Sequence, residues 1–254
     1  MKNKGEKTMK LFDFAYCGNY NASLANLAIL CPEKWSFGSE NDNSILKNYI
    51  EHTFHRLYEE NKILENEDYA IFNTGLFDTY YKPICAYFVP NVVPNRQQWF
   101  LDGFYTEYQL MTMGVGEIPE RANYFDDPSE LVFDTRLNIV PQYDHIFGDQ
   151  ENIERLPASI RNSAMRVQLF NGAIDTAKRM LEANYKTAIP QFYKGKMQLL
   201  VPICLQSPNS PDLALTCMKT EDKRSYLGCT CLTLEMAYNN ARLIAKPESN
   251  WLQA

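Results

Sequence analysis

The sequence predicts an α+β protein, in which helices and strands occupy separate stretches of the chain. Three observations predict it. The N-terminal region shows two helical patterns, one long amphipathic helix covers about residues 162–183, and three apolar stretches with short polar connections follow that helix. The predicted order is two helices, strands with long loops in an antiparallel or mixed sheet, the long helix, a three-stranded meander and a final helix. A doubly wound sheet would need alternating strands and helices, so the pattern does not favour one.

Size and composition limit the class of protein. With 254 residues, of which 45% are hydrophobic, the chain is long enough to bury a real core. No apolar run approaches the roughly 18 to 20 residues that span a bilayer, so we expect no membrane contact and a cytoplasmic location. We predict a disordered basic tail over residues 1–10 and a single domain over residues 11–252, with residues 91–130 as the place where a seam would fall. The seven cysteines are expected to be reduced thiols.

The N-terminal elements follow from spacing. Apolar and polar residues alternate over residues 11–19, which predicts a short strand. Residues 21–30 predict a helix that ends before Pro32, and a second helix begins at Asn43 or Ser44 and ends near Asn61. After them, residues 69–76 and 83–90 are predicted strands, and residues 91–130 are loop-like apart from an aromatic stretch.

The end of the first of these strands carries Asn73, Thr74 and Gly75, with Asp78 as the nearest carboxylate. Asparagine, threonine and glycine are typical of turns, which is the plainer interpretation. The same residue types also place an amide, a hydroxyl and an open backbone N–H beside a ligand phosphate or base. Both interpretations stay open at this stage.

The later elements surround the long helix. Its apolar face is predicted to be buried, and Arg166 lies at the edge of that face, where the guanidinium needs an anion or a carbonyl as partner. A structural partner for Arg166 is the plainer interpretation. Residues 197–205 predict a buried strand in which Pro202 indicates a bulge or an edge position, and residues 131–137 predict a strand in which Asp134 and Arg136 form an ion pair.

Charge is distributed unevenly. Residues 107–154 carry eleven acidic residues and two arginines, a net charge of −9, whereas residues 155–198 carry eight basic and two acidic residues, a net charge of +6. This split argues against a protein that coats nucleic acid over its whole surface, and it allows one local anion site in the basic segment. Alternatively, the two segments face each other as complementary surfaces.

Metal and nucleotide signatures are weak. His52 and His55 lie three residues apart on a predicted helix, and Cys229 and Cys231 share a strand face, but neither pair has further ligands at the expected spacing, so no metal site is predicted. Residues 114–117 match neither a P-loop nor the dinucleotide fingerprint. The sequence does not determine whether a cofactor is bound. His145, beside Asp144 in a loop setting, is a candidate general base, although a structural hydrogen bond is the commoner role of a single histidine.

Three stretches resemble a known family. They are residues 73–76, residues 184–186 with Pro190 and Gln191, and residues 236–242 ahead of Trp251 and Leu252. Together they are similar to an uncharacterised bacterial domain of unknown function, members of which can be fused to OST-HTH (LOTUS-type) RNA-binding domains. The resemblance would cover about residues 11–252 and implies a link to RNA metabolism by association. This chain carries no such RNA-binding module.

The leading hypothesis is a domain that binds, and in one version processes, a phosphate-bearing ligand, with RNA or a nucleotide first. Each candidate residue has a chemical role in it. Cationic side chains would neutralise phosphate, amides and a hydroxyl would contact sugar or base, rings would stack a base, and a carboxylate or an imidazole would act as general acid or base. In that order they are Arg166, Arg179, Lys186 and Arg242; Asn73, Thr74 and Asn239; Tyr185 and Tyr193; and Asp78 and His145. The alternative is a non-catalytic interaction or self-association domain that uses the acidic and basic segments.

Overall fold

The structure is a computed structural model that describes residues 9–254, so nearly all of the predicted tail lies outside the described residues. The α+β prediction is confirmed, with nine α-helices and two mixed five-stranded sheets in the described part of the chain. The chain divides into two compact units after Asn123, within the stretch where a seam was expected. The single domain stays a prediction. None of the helices formed by residues 9–254 is long and apolar enough to cross a membrane.

The first unit contains four helices and one sheet. Its elements are α1 (Leu11–Phe14), β1 (Ala15–Tyr16), α2 (Tyr20–Leu30), α3 (Ser44–Glu59), β2 (Leu64–Glu65), β3 (Ala70–Phe77), β4 (Pro83–Pro90), β5 (Trp99–Thr106) and α4 (Glu107–Thr112). The strand order is β1-β5-β4-β3-β2, in which β1 and β5 are parallel and the other pairs are antiparallel.

Most predictions for this unit are confirmed, and two are wrong. Helices α2 and α3 form where the spacing placed them, and β4 has the predicted bounds. Residues 11–19 do not form one strand, because Leu11 and Phe14, three residues apart, both bury their side chains from a helical turn. The second error is β5, which lies in the stretch predicted to be loop-like.

The second unit contains five α-helices, two 3-10 helices and one sheet. Its elements are a 3-10 helix (Pro128–Leu131), β6 (Asn138–Pro141), α5 (Tyr143–Gly148), α6 (Gln150–Arg155), α7 (Ala158–Arg161), α8 (Arg166–Ala183), a 3-10 helix (Tyr185–Thr187), β7 (Ile189–Tyr193), β8 (Lys196–Ile203), β9 (Leu213–Lys219), β10 (Ser225–Leu232) and α9 (Leu234–Arg242). The strand order is β6-β10-β9-β8-β7, with β6 parallel to β10.

The long helix and the meander are confirmed as α8 and β8–β10, although α8 begins at Arg166, four residues later than predicted. Pro202 lies in β8 beyond Leu200, where the pairing with β7 ends, so its missing N–H interrupts no ladder on that side. The strand predicted over residues 131–137 is wrong. A 3-10 helix and a turn form instead, and Arg136 pairs with Asp134 at 2.8 Å within that turn.

The two faces of the second sheet carry different side chains. One face packs against α8, where Phe170 and Ala177 lie in the same core cluster as Leu199 and Val201 of β8. Residues alternate between the faces of a strand, so Gln198 and Leu200 lie on the opposite face. Helix α9 covers part of that opposite face, since its Asn240 hydrogen-bonds Gln191 of β7. Polar side chains on this face therefore lie between a sheet and a helix.

Candidate functional site

In the first unit, the predicted ligand groups Asn73 and Thr74 make internal hydrogen bonds. The Asn73 amide donates to the Pro119 carbonyl at 3.0 Å and accepts from the Gly75 N–H at 2.9 Å. The Thr74 hydroxyl donates to the Ile84 carbonyl at 2.6 Å. Both side chains are buried, at a register shift between β3 and β4. This geometry gives both residues a structural role at an irregularity within β3, not in a turn after the strand, and a ligand role for either residue stays a prediction.

Asp78 closes the turn between β3 and β4. Its carboxylate accepts hydrogen bonds from the backbone N–H groups of Tyr80 at 2.8 Å and Lys82 at 2.9 Å. Tyr81, which lies between Tyr80 and Lys82, has a φ of 58°, in the left-handed region. The carboxylate thus stabilises a tight, strained turn.

In the second unit, His145 is paired with Asp149, not with the adjacent Asp144. Its Nδ1 lies within hydrogen-bonding distance of the Asp149 carboxylate, four residues along the chain. The side chain of His145 is about half exposed, with a relative accessibility of 51%. Because the carboxylate holds Nδ1, the other ring nitrogen, Nε2, is left for proton transfer. Sequence reasoning missed Asp149, although its spacing of four residues from His145 could have indicated the pair.

A buried asparagine fixes the position of this His–Asp pair. Asn152, which is 6% exposed, donates to the His145 carbonyl at 2.9 Å and to the Asp149 carboxylate at 3.4 Å. Its oxygen accepts from Arg155 at 2.8 Å and from the Thr230 hydroxyl at 2.7 Å. The network ties α5 and α6 to β10, so the imidazole is held by a rigid support.

The Arg166 guanidinium lies over an aromatic ring instead of an anion or a carbonyl. Its central carbon is 5.4 Å from the centre of the Phe147 ring, a cation–π geometry. Phe147 and His145 are two residues apart on α5, about 200° around a helix, so they point to opposite sides of it. Arg166 and His145 therefore do not converge. Five guanidinium N–H donors remain for another partner.

Most basic side chains of residues 155–198 form no salt bridge within residues 9–254. The exception is Arg155, which lies 4.0 Å from Glu151. The other basic side chains of residues 155–198 form no salt bridge with a described residue; they are Arg161, Arg166, Lys178, Arg179, Lys186, Lys194 and Lys196.

The candidate rings lie at opposite ends of β7. Tyr185 and Lys186 belong to the 3-10 helix before the strand, and the Lys186 ammonium is 6.0 Å from the centre of the Tyr185 ring. Tyr193 is the last residue of β7. Since β7 runs from Ile189 to Tyr193, roughly 13 Å of extended chain separates the two ends. One base cannot stack on both tyrosines, but a strand of several nucleotides could reach both.

The turn between β7 and β8 brings an aromatic ring and two lysines together. Lys194 and Gly195 form a two-residue loop with φ values of 48° and 75°, which is the geometry of a type I′ turn. Tyr193 pairs with Lys196 across the hairpin, and the Lys194 ammonium is 5.2 Å from the centre of the Tyr193 ring. Tyr193 is 47% exposed. We call Tyr193, Lys194 and Lys196 the hairpin tip.

A row of amides continues from the hairpin tip along the same face. Gln191, which is 1% exposed, donates from Nε2 to the Gln198 oxygen at 2.7 Å and accepts from the Asn240 amide at 3.1 Å. We call Gln191, Gln198 and Asn240 the amide row. Sequence reasoning missed it, although the two glutamines stand at equal distances from the Lys194–Gly195 turn, in otherwise apolar strands.

Helix α9 also carries Asn239 and Arg242. The Asn239 oxygen is buried and has no hydrogen-bond partner among the residues that the structure describes. Arg242 is 7% exposed, so its guanidinium is largely withdrawn from solvent. Of the predicted ligand residues, Tyr193 lies on β7 and Asn239 on α9, the elements that carry Gln191 and Asn240. Arg179 is instead an exposed residue of α8.

No metal centre is formed within residues 9–254, since no three histidine, cysteine or acidic side chains cluster there. The cysteines of the second sheet are thiols. Burial raises the pKa of Cys231 to about 12, and it raises the pKa values of Cys217 and Cys229 as well. All seven cysteines are free, as predicted. Thiols held protonated are poor metal ligands and poor nucleophiles.

Three titratable side chains of different kinds, Cys17, Tyr20 and Glu51, interact in the first unit. The Tyr20 hydroxyl and one oxygen of Glu51 are buried and lack a partner among the described residues. Burial raises the pKa of Glu51, and burial with the neighbouring Glu51 charge raises the pKa values of Cys17, to about 12, and of Tyr20. The cluster, which sequence reasoning did not detect, destabilises an ionised Glu51.

With this geometry in place, a comparison with family models identifies the chain as a member of the family described as "Domain of unknown function (DUF3825)", whose model matches residues 24–251. No curated protein and no solved structure matches the chain.

Proposed function

We propose that this member of the DUF3825 family binds a phosphate-bearing ligand, RNA or a nucleotide, through the second unit, with the hairpin tip and the amide row as the contact surface. The observation that carries the proposal is the set of basic side chains that have no ion-pair partner. Lysine and arginine side chains left without carboxylate partners at a surface are available to phosphate. The hairpin tip holds two of these lysines beside an exposed ring.

The combination of groups favours a nucleotide over a simple anion. Tyr193 offers a half-exposed ring on which a base can stack, and such stacking is tolerant of sequence. Gln198, the partly exposed glutamine of the amide row, offers a donor and an acceptor of the kind that contact base edges. Phosphate, ring and base contacts are therefore available on one face of the β7–β8 hairpin.

The resemblance adds RNA as the first candidate. The bacterial family that the chain resembles includes proteins fused to OST-HTH RNA-binding domains, so an activity on RNA in the bacterial cytoplasm is the proposed context. In this proposal the second unit itself supplies contacts to the RNA.

Processing of the ligand is a further part of the proposal. His145, with Nδ1 held by Asp149, has the arrangement of a general base that is oriented by a carboxylate. It would accept a proton at Nε2 from a ligand hydroxyl or water. Asp78, which holds a turn in the first unit, is the weaker candidate.

The alternative function is a non-catalytic interaction domain. Tyr80 and Tyr81, at the turn between β3 and β4, are 83% and 84% exposed, and large exposed aromatic side chains are typical of protein interfaces. A partner protein or a second copy of the chain would cover them. This alternative predicts no dependence of function on the hairpin lysines.

Binding of a fluorescent single-stranded RNA of about 12 nucleotides, measured by anisotropy from low to high salt, tests the proposal. Affinity should fall steeply with salt. Lys194→Ala with Lys196→Ala should weaken binding and reduce the slope of log K against log salt by about 1.4, since each phosphate contact on a single strand contributes about 0.7. Lys186→Ala should also weaken binding if the strand follows β7.

A matched control is Lys47→Ala with Lys246→Ala, which removes the same charge from exposed positions outside the basic segment. This control should bind like the parent protein. Undetectable binding at low salt, or an equal loss in both double variants, would reject the proposed site and favour the interaction domain.

A further inference from the structure

We propose that the β7–β8 hairpin prefers adenine, and that Gln198 reads the base. The inference rests on the proposed function, because it requires that RNA or a nucleotide binds at the hairpin tip. It goes further by naming the base and the residue that selects it.

The amide row fixes the orientation of Gln198. Gln191 is 1% exposed and has both of its side-chain atoms engaged, since its oxygen accepts from Asn240 at 3.1 Å and its nitrogen donates to the Gln198 oxygen at 2.7 Å. A flipped Gln198 amide would place N–H groups against the N–H of Gln191 and lose that bond. The orientation of the Gln198 amide is therefore coupled to those of Gln191 and Asn240.

Gln198 keeps unused hydrogen-bonding capacity. Its nitrogen has two N–H donors and no hydrogen-bond partner among residues 9–254, and its oxygen has a second lone pair. Gln198 is partly exposed, whereas Gln191 behind it is not. The outer end of the amide row thus presents one donor and one acceptor side by side.

Adenine fits this pair of groups best. A glutamine amide makes two hydrogen bonds with adenine, accepting from the N6 amino group and donating to a ring nitrogen. Adenine offers that donor and acceptor on both of its free edges, because N6 lies between N1 and N7. Guanine presents two acceptors on its N7 edge, and uracil and cytosine each offer a donor beside an acceptor on one edge only. The contact of a glutamine amide with adenine is the common bidentate pairing of this side chain with a base.

The neighbouring side chains support a base in this position. Gln191 and Tyr193 share a strand face, and Tyr193 pairs with Lys196, two residues from Gln198, so the Tyr193 ring and the Gln198 amide are diagonal neighbours on one face. Diagonal neighbours in a sheet are roughly 7 to 8 Å apart, within reach of an aromatic side chain. A purine stacked on Tyr193 would direct an edge toward Gln198, with its phosphate near Lys194 or Lys196.

Competition binding with 12-nucleotide strands of adenosine, uridine or cytidine tests the inference. The wild-type protein should bind the adenosine strand about tenfold more tightly, which corresponds to about 1.4 kcal/mol. Gln198→Ala should reduce this preference to less than about twofold without a change in the salt slope. Gln206→Ala, an exposed glutamine outside the hairpin, is the control and should keep the preference.

A strand of purine riboside, which lacks the N6 amino group, gives a readout that requires no variant. It should bind the wild-type protein as weakly as the uridine strand. Salt-dependent binding of all strands with equal affinity, or an adenine preference that persists in folded Gln198→Ala, would overturn the inference and leave the proposed function standing. Absence of binding to every strand would overturn both.

Discussion

Asp149 holds the Nδ1 atom of His145 from four residues along the chain, across the junction between α5 and α6. We predict that the neutral His145 ring carries its proton on Nδ1. Asp149→Ala should remove this preference, because the acceptor is lost, whereas Asp144→Ala should not change it. Nitrogen-15 NMR of the ring nitrogens measures the tautomer directly. A ring proton on Nε2 in the wild-type protein would contradict the pairing and weaken His145 as a base.

The second prediction concerns Asn73. Asn73→Asp should destabilise the protein by about 2 kcal/mol in urea unfolding, because a carboxylate cannot donate to the Pro119 carbonyl and would be buried. Asn26→Asp, at an exposed position on α2, is the control and should change little. Unchanged stability with weaker RNA binding would instead indicate a ligand role for Asn73.

The third prediction concerns pH. Burial raises the pKa of Glu51 above its ordinary value of 4.5, so the folded state binds that proton more tightly than the unfolded state. The contribution of Glu51 to stability is therefore full below pH 4.5 and is lost as the pH rises through the raised value. Lys47 opposes the shift.

Glu51→Gln should accordingly raise the unfolding free energy at pH 8 and leave it almost unchanged near pH 4. The gain should not exceed about 1 kcal/mol, because the carboxyl group is only partly buried and solvent screens it. Thermal unfolding at several pH values measures the difference. Glu59→Gln, on the same helix but exposed, should show no gain at pH 8. An equal gain for both variants would mean that burial of Glu51 is not the cause.

The fourth prediction concerns the turn between β3 and β4. Tyr81 has a φ of 58°, a conformation that costs a residue with a side chain about 1 kcal/mol and that asparagine tolerates better. Tyr81→Asn should therefore stabilise the protein by about 0.5 to 1 kcal/mol. Tyr80→Asn, at the neighbouring exposed position, is the control and should not. If Tyr81→Asn is neutral, the ring makes contacts that offset the strain.

Much of the fold could be predicted from spacing, and the errors have specific causes. The apolar stripes of α3 and α8 repeat without interruption, so both helices were predicted. Strand β5 was missed because a register shift opposite Tyr87 and Phe88 breaks its alternation, so that Leu101 and Phe104 are both buried three residues apart. A bulge is set by the partner strand, which the sequence of β5 does not reveal.

The candidate site could be predicted only in part. Tyr193 and Asn239 were selected by residue type, but the amide row between β7, β8 and α9 depends on strand register and on helix packing. His145 was selected with the wrong partner, because adjacency in sequence pointed to Asp144, whereas a helical turn brings Asp149 to the imidazole.

The two-residue Lys194–Gly195 turn affects both the rate and the affinity with which the hairpin binds a ligand. Such a short reverse turn leaves the flanking strands little freedom, so Tyr193 and Lys196 are already in place before anything docks. Association should then require little rearrangement of the backbone. Lengthening the turn by inserting glycines would keep every chemical group and still speed up dissociation.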